Sequence, residues 1–178
     1  MCQGCHAYPL RTDSIKAAFV LEGPVREMIY GLKYRNVRAS APQMARLLAE
    51  KEASALAAAD VLVPVPLHPR RERYRGYNQS ALLASALADL AGTASEPALL
   101  SRSRNTPPQV DLTGHERRRN IADAFTSTPA VAGRKVLLVD DVVTTGATMS
   151  ACAAALKAAG ASSVRGLAFA RQTETGGD

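Results

Sequence analysis

The sequence predicts an α/β fold, a mainly parallel sheet with helices on both faces. Three observations carry this. Short apolar runs alternate with amphipathic stretches at spacings that suit crossover connections. The run Val136–Val139 is apolar without alternation, as a strand buried on both faces requires. The chain of 178 residues is 47% hydrophobic but only 4% aromatic, with no Trp, so alanine and leucine carry the core. That composition suits helices packed on a sheet better than an all-β sandwich.

The elements follow in order. Ala17–Leu21 reads as a strand stopped by the turn Glu22-Gly23-Pro24. A helix from Pro24 places Val25, Met28, Ile29 and Leu32 on one face. A second helix follows Ser40, whose side chain is expected to cap it, with Met44, Leu47 and Leu48 facing inward. Val61–Val65 is the next strand, and Pro64 and Pro66 force it out into a loop, His68–Tyr77, that carries four arginines. From Asn78 the pattern Leu82, Leu83, Ala86, Leu87, Leu90 marks an amphipathic helix closed by Gly92. Residues Ser101–Thr128 are polar and basic with little periodicity, which in a compact domain points to a functional flap or a disordered stretch. Lys135–Val139 is a strand, a helix spans about Thr148 to Ala159 with Gly160 as its cap, and Val164–Ala170 is the last strand. Residues 172–178 form a tail.

The 22 Lys and Arg exceed the 16 Asp and Glu, for a net charge of +6. The excess gathers at Arg70, Arg71, Arg73 and Arg75 and again at Arg117, Arg118 and Arg119. Such clusters favour a phosphorylated ligand or a polyanion, and they also suit a solvated face. Three cysteines are too few for a disulfide framework. There is no run of roughly 18 apolar residues for a membrane span, and the N-terminus lacks the pattern of a signal peptide. The expectation is a cytoplasmic protein with no membrane insertion.

The chemistry concentrates in Val136-Leu-Leu-Val-Asp140-Asp141-Val-Val-Thr144-Thr145-Gly146-Ala147-Thr148. Two carboxylates stand at the carboxyl end of a buried strand. A loop of small and hydroxylated residues follows, and then a helix with the stripe Met149, Cys152, Ala153 and Leu156. Small residues let the backbone close around an anion, and Gly146 permits angles that other residues resist. The first N–H groups of the helix lack internal partners and sit at the positive end of its dipole, where a phosphate binds. The hydroxyls of Thr144, Thr145 and Thr148 add donors. A phosphate held there brings an attached ribose beside Asp140 and Asp141, whose oxygens accept from vicinal hydroxyls. The segment lacks both the P-loop pattern and the dinucleotide fingerprint. A paired Asp at a strand end also holds magnesium in receiver and phosphatase domains, usually on the first strand, whereas this strand is late in the chain.

This segment resembles the signature of type I phosphoribosyltransferases that binds 5-phosphoribosyl diphosphate (PRPP). Val63-Pro-Val-Pro66-Leu-His68-Pro-Arg70 through Gln79, Glu22-Gly-Pro through Lys33-Tyr34, Thr106-Pro-Pro-Gln109 and Glu116-Arg-Arg-Arg119-Asn120 are similar to the ComF family of competence-associated proteins. The resemblance covers roughly residues 17–171. It implies that Asp140 and Asp141 meet the ribose hydroxyls, that Thr144, Thr145, Gly146, Ala147 and Thr148 hold the 5-phosphate, and that Arg70, Arg71 and Arg75 face the diphosphate. It implies a mobile loop at Gln109–Asn120, bringing Arg118 and Arg119 over the site. It also implies a transferase that releases pyrophosphate, with Mg²⁺ carried by the diphosphate.

One departure concerns zinc. Fuller ComF-like chains begin with a ribbon of two Cys-x-x-Cys pairs, whereas residues 1–16 hold a remnant, Cys2 and Cys5 with His6 beside them. A structural zinc takes four ligands, so none is expected in this chain as written, and no residue is assigned to a metal. Cys152 falls on the inward face of its helix and reads as a small hydrophobe. The resemblance also admits a binding module that handles single-stranded DNA with other competence proteins, its arginines and the pair Tyr74 and Tyr77 forming the surface. His68 is expected to bond the backbone rather than to act in chemistry, and His115 lies in the presumed flap.

Overall fold

The computed structural model describes residues 10–102 and 124–173. Strand β1 (Ser14–Val20) leads into helices α1 (Gly23–Tyr34) and α2 (Ser40–Ala57), then β2 (Val61–Pro64). Helices α3 (Pro69–Arg75) and α4 (Gln79–Ala91) follow, then the short β3 (Ala94–Ser95). An antiparallel pair, β4 (Leu100–Arg102) and β5 (Phe125–Ser127), brackets the basic segment. The chain closes with β6 (Lys135–Val143), α5 (Ala147–Ala158) and β7 (Ser163–Arg171).

Five strands form one parallel sheet in the order β1-β7-β6-β2-β3. Residues that alternate along β6 enter opposite cores, since successive side chains of a strand point to opposite faces. Leu137 and Val139 pack with Leu32, Met44, Leu48, Leu83 and Leu87 of α1, α2 and α4. Val136 and Leu138 pack with Met149, Cys152, Ala153 and Leu156 of α5 and with Phe125 of the hairpin. Each fully buried leucine contributes about 1.5–3 kcal/mol, so the two-sided core anchors β6 more firmly than an edge strand. Helices therefore cover both faces, as the sequence predicts.

Three local expectations differ from the structure. Ser40 does not cap α2. Asn36 takes a left-handed φ of 55°, and the resulting turn lets Ser40 Oγ donate to the Val37 carbonyl at 2.7 Å instead. The stretch His68–Tyr77 is not a loop but is largely helix α3. His68 Nδ1 caps it by accepting from Arg70 N–H at 3.2 Å, Pro69 opens it, and Gly76 at φ 81° ends it. No residue of α3 is buried, so it lacks the apolar stripe that would have announced it. Finally, β6 runs on past Val139 to Val143, because β7 pairs with it as far as Arg171.

Pro64 sits inside the ladder without loss. Val65 N–H donates to Val139 O at 2.9 Å, which keeps β2 on β6, while β3 reaches only Leu62 on the other side. Asn78 caps α4 by accepting from Ser80 N–H at 3.0 Å, and its amide donates to Val65 O at 3.0 Å. This ties the start of α4 to the end of β2. The segment Gln109–Asn120, with His115, Arg117, Arg118 and Arg119, lies outside the described residues, as do Cys2, Cys5 and His6.

Candidate functional site at the end of β6

The acidic pair stands at the carboxyl edge of the sheet, on a strand flanked by β2 and β7. Its two members have different surroundings. Asp141 is 2% exposed, with Lys33 Nζ of α1 at 2.7 Å from Oδ2 and Gln79 Nε2 of α4 at 3.5 Å from Oδ1. Asp140 is partly buried. Its Oδ1 accepts from Ser80 Oγ at 2.7 Å and from the Asp141 N–H at 2.9 Å. Burial, and next the negative charge of Asp141, push Asp140 up to about 7, against the opposing pull of Ser80 and Lys33.

The loop beyond the pair leaves the start of α5 without a side-chain cap. Gly146, at φ 77°, stands at the cap position of α5 and has no side chain to occupy the first N–H groups. A long 3.4 Å contact from Ala147 N–H to Thr145 Oγ1 is the local exception. Thr144 and Thr145 are exposed, Ala147 and Thr148 half-buried, and Gly146 buried. Asp140, Thr144, Gly146, Ala147 and Thr148 line a small cavity of about 40 Å³. Hydroxyls, helix N–H groups and one carboxylate therefore converge there, a donor set for a phosphate with an acceptor for hydroxyls beside it.

The arginines of α3 fall into two groups. Arg75 donates to Gln79 Oε1, which joins it through Gln79 to Asp141, and it lies 5.7 Å from the Tyr34 ring centre. Arg70 is exposed and Arg71 half-buried, on the helix that follows the carboxyl end of β2. A second cavity of about 320 Å³ lies between that segment and β4, bounded by Pro66, Leu67, Glu72, Ser101 and Arg102. Cys152 is fully buried behind the site, and burial raises its thiol pKa, as its inward position predicts.

Tyr74 and Tyr77 do not form a common surface. Tyr77 is 7% exposed, donates its hydroxyl to the Leu32 carbonyl, and carries Arg38 over its ring at 4.4 Å. It is a packing residue, whereas Tyr74 is 96% exposed.

Lys33, Gln79 and Ser80 escaped sequence reasoning as site residues. A signal for two of them was present. Gln79, Leu83 and Leu87 recur at helical spacing, so Gln79 and its neighbour Ser80 are polar residues at the buried start of α4. Lys33 carried no comparable signal, since a lysine in the last turn of a helix is ordinary.

Comparison with known proteins bears on the family and the fold. Residues 78–177 match the model of the phosphoribosyl transferase domain. The chain is 36% identical over 147 residues to the DNA utilization protein YhgH of Salmonella typhi, covering 80% of this chain and 65% of that protein. It is 31% identical over 156 residues to competence protein F of Haemophilus influenzae, covering 83% of this chain and 68% of that protein. The chain thus spans just under two thirds of the YhgH relatives it matches. Among solved structures, a glutamine PRPP amidotransferase from B. subtilis, complexed with ADP and GMP, superposes with a TM-score of 0.53 at 22% identity. That match covers 75% of this chain and 26% of the other, and it shows a shared fold. With the domain match over residues 78–177 and relatives of this kind over most of its length, the chain belongs to the ComF family, within the phosphoribosyl transferase domain family.

Proposed function

We propose that the protein binds PRPP at the end of β6 and transfers its phosphoribosyl group to an acceptor with release of pyrophosphate. The observation that carries this reading is the uncapped start of α5 beside Asp140, a phosphate cradle with a hydroxyl acceptor at its rim. In this reading Thr144, Thr145 and Thr148 with the N–H groups of α5 hold the 5-phosphate, and the acidic pair receives the ribose hydroxyls. Arg70, Arg71 and Arg75 face the diphosphate, whose growing charge they stabilise as it departs. Arg118 and Arg119 belong to the segment that would close over the site and exclude water.

Mg²⁺ fits as a companion of the diphosphate rather than as a resident ion. Asp141 already has Lys33 at 2.7 Å, and among the described residues no group of three His, Cys, Asp or Glu is placed to hold a metal. When bound, magnesium would neutralise diphosphate charge through the ligand's own oxygens, with water completing its shell.

Relatives named as a competence protein and a DNA utilization protein support a role linked to competence and DNA uptake, and the setting we propose is the cytoplasm, with other competence proteins as partners. No helix among the described residues is long and apolar enough to cross a membrane. Calorimetric titration of PRPP with Mg²⁺, followed by pyrophosphate release with a panel of bases, tests the transferase. Binding with release supports it, and absence of binding removes the PRPP site.

A second reading is a PRPP-site protein that holds single-stranded DNA, and an exposed aromatic strip favours it. Tyr30 and Tyr34 are 46% and 66% exposed with ring centres 4.8 Å apart, Arg35 lies over Tyr30 at 5.1 Å, and Arg75 approaches Tyr34. Aromatic faces interleaved with arginines bind bases without sequence preference. Affinity for a single-stranded oligonucleotide should fall steeply between about 50 and 200 mM salt, and a flat response would sink this reading.

A further inference from the structure

Lys33 lies far from the acidic pair in sequence, in the last turn of α1, yet its ammonium is 2.7 Å from Asp141 Oδ2. Both groups are shielded, with side-chain exposures of 21% and 3%. The backbone that presents the lysine is fixed on both sides. Tyr77 bonds the carbonyl of the preceding Leu32, and Arg35 and Val37 both donate to Gly31 O at 3.1 Å. Lys33 is therefore built into the site and is not a mobile surface charge.

We propose that Lys33 is a positioning residue of this site: bound to Asp141, it fixes that carboxylate and offsets its charge beside Asp140, so that the pair receives a diol at neutral pH. The proposal rests on the phosphoribosyl reading for its ligand, but the coupling of Lys33 to Asp140 stands apart from it. Two adjacent carboxylates oppose each other's ionisation, and a nearby cation relieves the opposition. Among the described residues, the groups facing Asp140 leave this task to Lys33. From its own strand comes Asp141, from α4 the neutral Ser80 and Gln79, and from α5 the Cys152 thiol, which burial holds protonated. β7 offers Ala168 as its register partner, and β2 ends in Val63 and Pro64. Arg102 of β4 acts on Cys152, behind the pair.

The test compares wild type with Lys33→Met and Lys33→Arg in two measurements. The first is the Asp140 titration followed by ¹³C carboxyl NMR in the ligand-free protein. The second is PRPP–Mg²⁺ affinity by calorimetry across pH 6–9. We expect Lys33→Met to move the Asp140 midpoint upward by about one pH unit and to move the rise of affinity with it. Lys33→Arg should restore most of both. An unmoved midpoint in a folded Met variant overturns the proposal. So does affinity lost equally at every pH, which would make Lys33 a direct ligand contact. Should the Met variant fold poorly, Lys33→Gln keeps a donor beside Asp141 and carries the same comparison. If wild type binds no PRPP at any pH, the phosphoribosyl reading fails, while the ligand-free midpoint still decides the role of Lys33.

Discussion

Ser80 Oγ donates a 2.7 Å hydrogen bond to Asp140 Oδ1, joining the first turn of α4 to the end of β6 across 60 positions of sequence. The bond favours the ionised carboxylate and so opposes the effect of burial. Ser80→Ala is expected to lower stability by about 1–2 kcal/mol and to raise the Asp140 midpoint. Affinity for PRPP should then fall several-fold at pH 7 and recover toward pH 9. Urea denaturation and calorimetry at the two pH values check both parts.

Asp140 itself makes stability depend on pH in an unusual direction for a carboxylate. Its pKa rises from 3.8 to about 7 on folding, so between these values the folded chain binds more protons than the unfolded one. Stability contributed by this group is fully present below about pH 4 and declines as pH rises to about 7. Asp140→Asn removes the penalty. The variant should melt higher than wild type at pH 8 by a few degrees, since each 1 kcal/mol is worth roughly 2–4 °C in a chain of this size. The difference should vanish near pH 4, and PRPP binding should be lost throughout. Thermal melts at the two pH values decide the matter.

Gly146 combines a left-handed backbone with close neighbours. A Cβ there would stand 3.0 Å from Ile15 Cδ1 and 3.3 Å from Leu10 Cδ1, at φ 77°. Gly146→Ala is expected to cost about 1–2 kcal/mol from the backbone alone and to tilt the cradle at the start of α5. Denaturation should report the first effect. A larger loss of PRPP affinity than Thr145→Ala produces should report the second.

Tyr77→Phe should separate packing from function. It removes the buried donor to the Leu32 carbonyl while keeping the ring under Arg38. The expected loss is about 1–3 kcal/mol, because the carbonyl is left without its partner. Single-stranded DNA affinity, if present, should not change. A drop in DNA affinity equal to that of Tyr34→Ala would show that Tyr77 contacts the strand.

Much of this arrangement was readable from the residues, for identifiable reasons. The run Val136–Val139 has no polar alternation, and both sides of β6 are indeed covered. The ends of α4 at Asn78 and Gly92 and its inward Leu83 and Leu87 were equally plain, because periodicity and caps act locally, whereas Leu90 of the expected stripe is exposed in the last turn. Helix α3 was not readable, since it buries nothing and its ends are fixed by His68 and Gly76 rather than by a core. Ser40 looked like a cap, but the left-handed Asn36 before it redirected the hydroxyl. The partners of the acidic pair were hidden for another reason. Lys33, Gln79 and Ser80 reach β6 only through the order of strands, and no spacing in the sequence encodes that order.

That order also bears on how the molecule comes into being. The β1-β7-β6-β2-β3 arrangement places two strands from the last third of the chain between β1 and β2. A ribosome therefore delivers the two outer parts of the sheet first, with a gap two strands wide between them. Until residues 135–171 emerge, the apolar inner faces of α1, α2 and α4 have no β6 or β7 to rest on. Most sheet contacts are consequently long-range, which slows folding and lengthens exposure of those faces to aggregation or to a chaperone. The acidic pair arrives on β6, the first strand to enter the gap, and the sheet is complete only when β7 follows and joins β6 to β1.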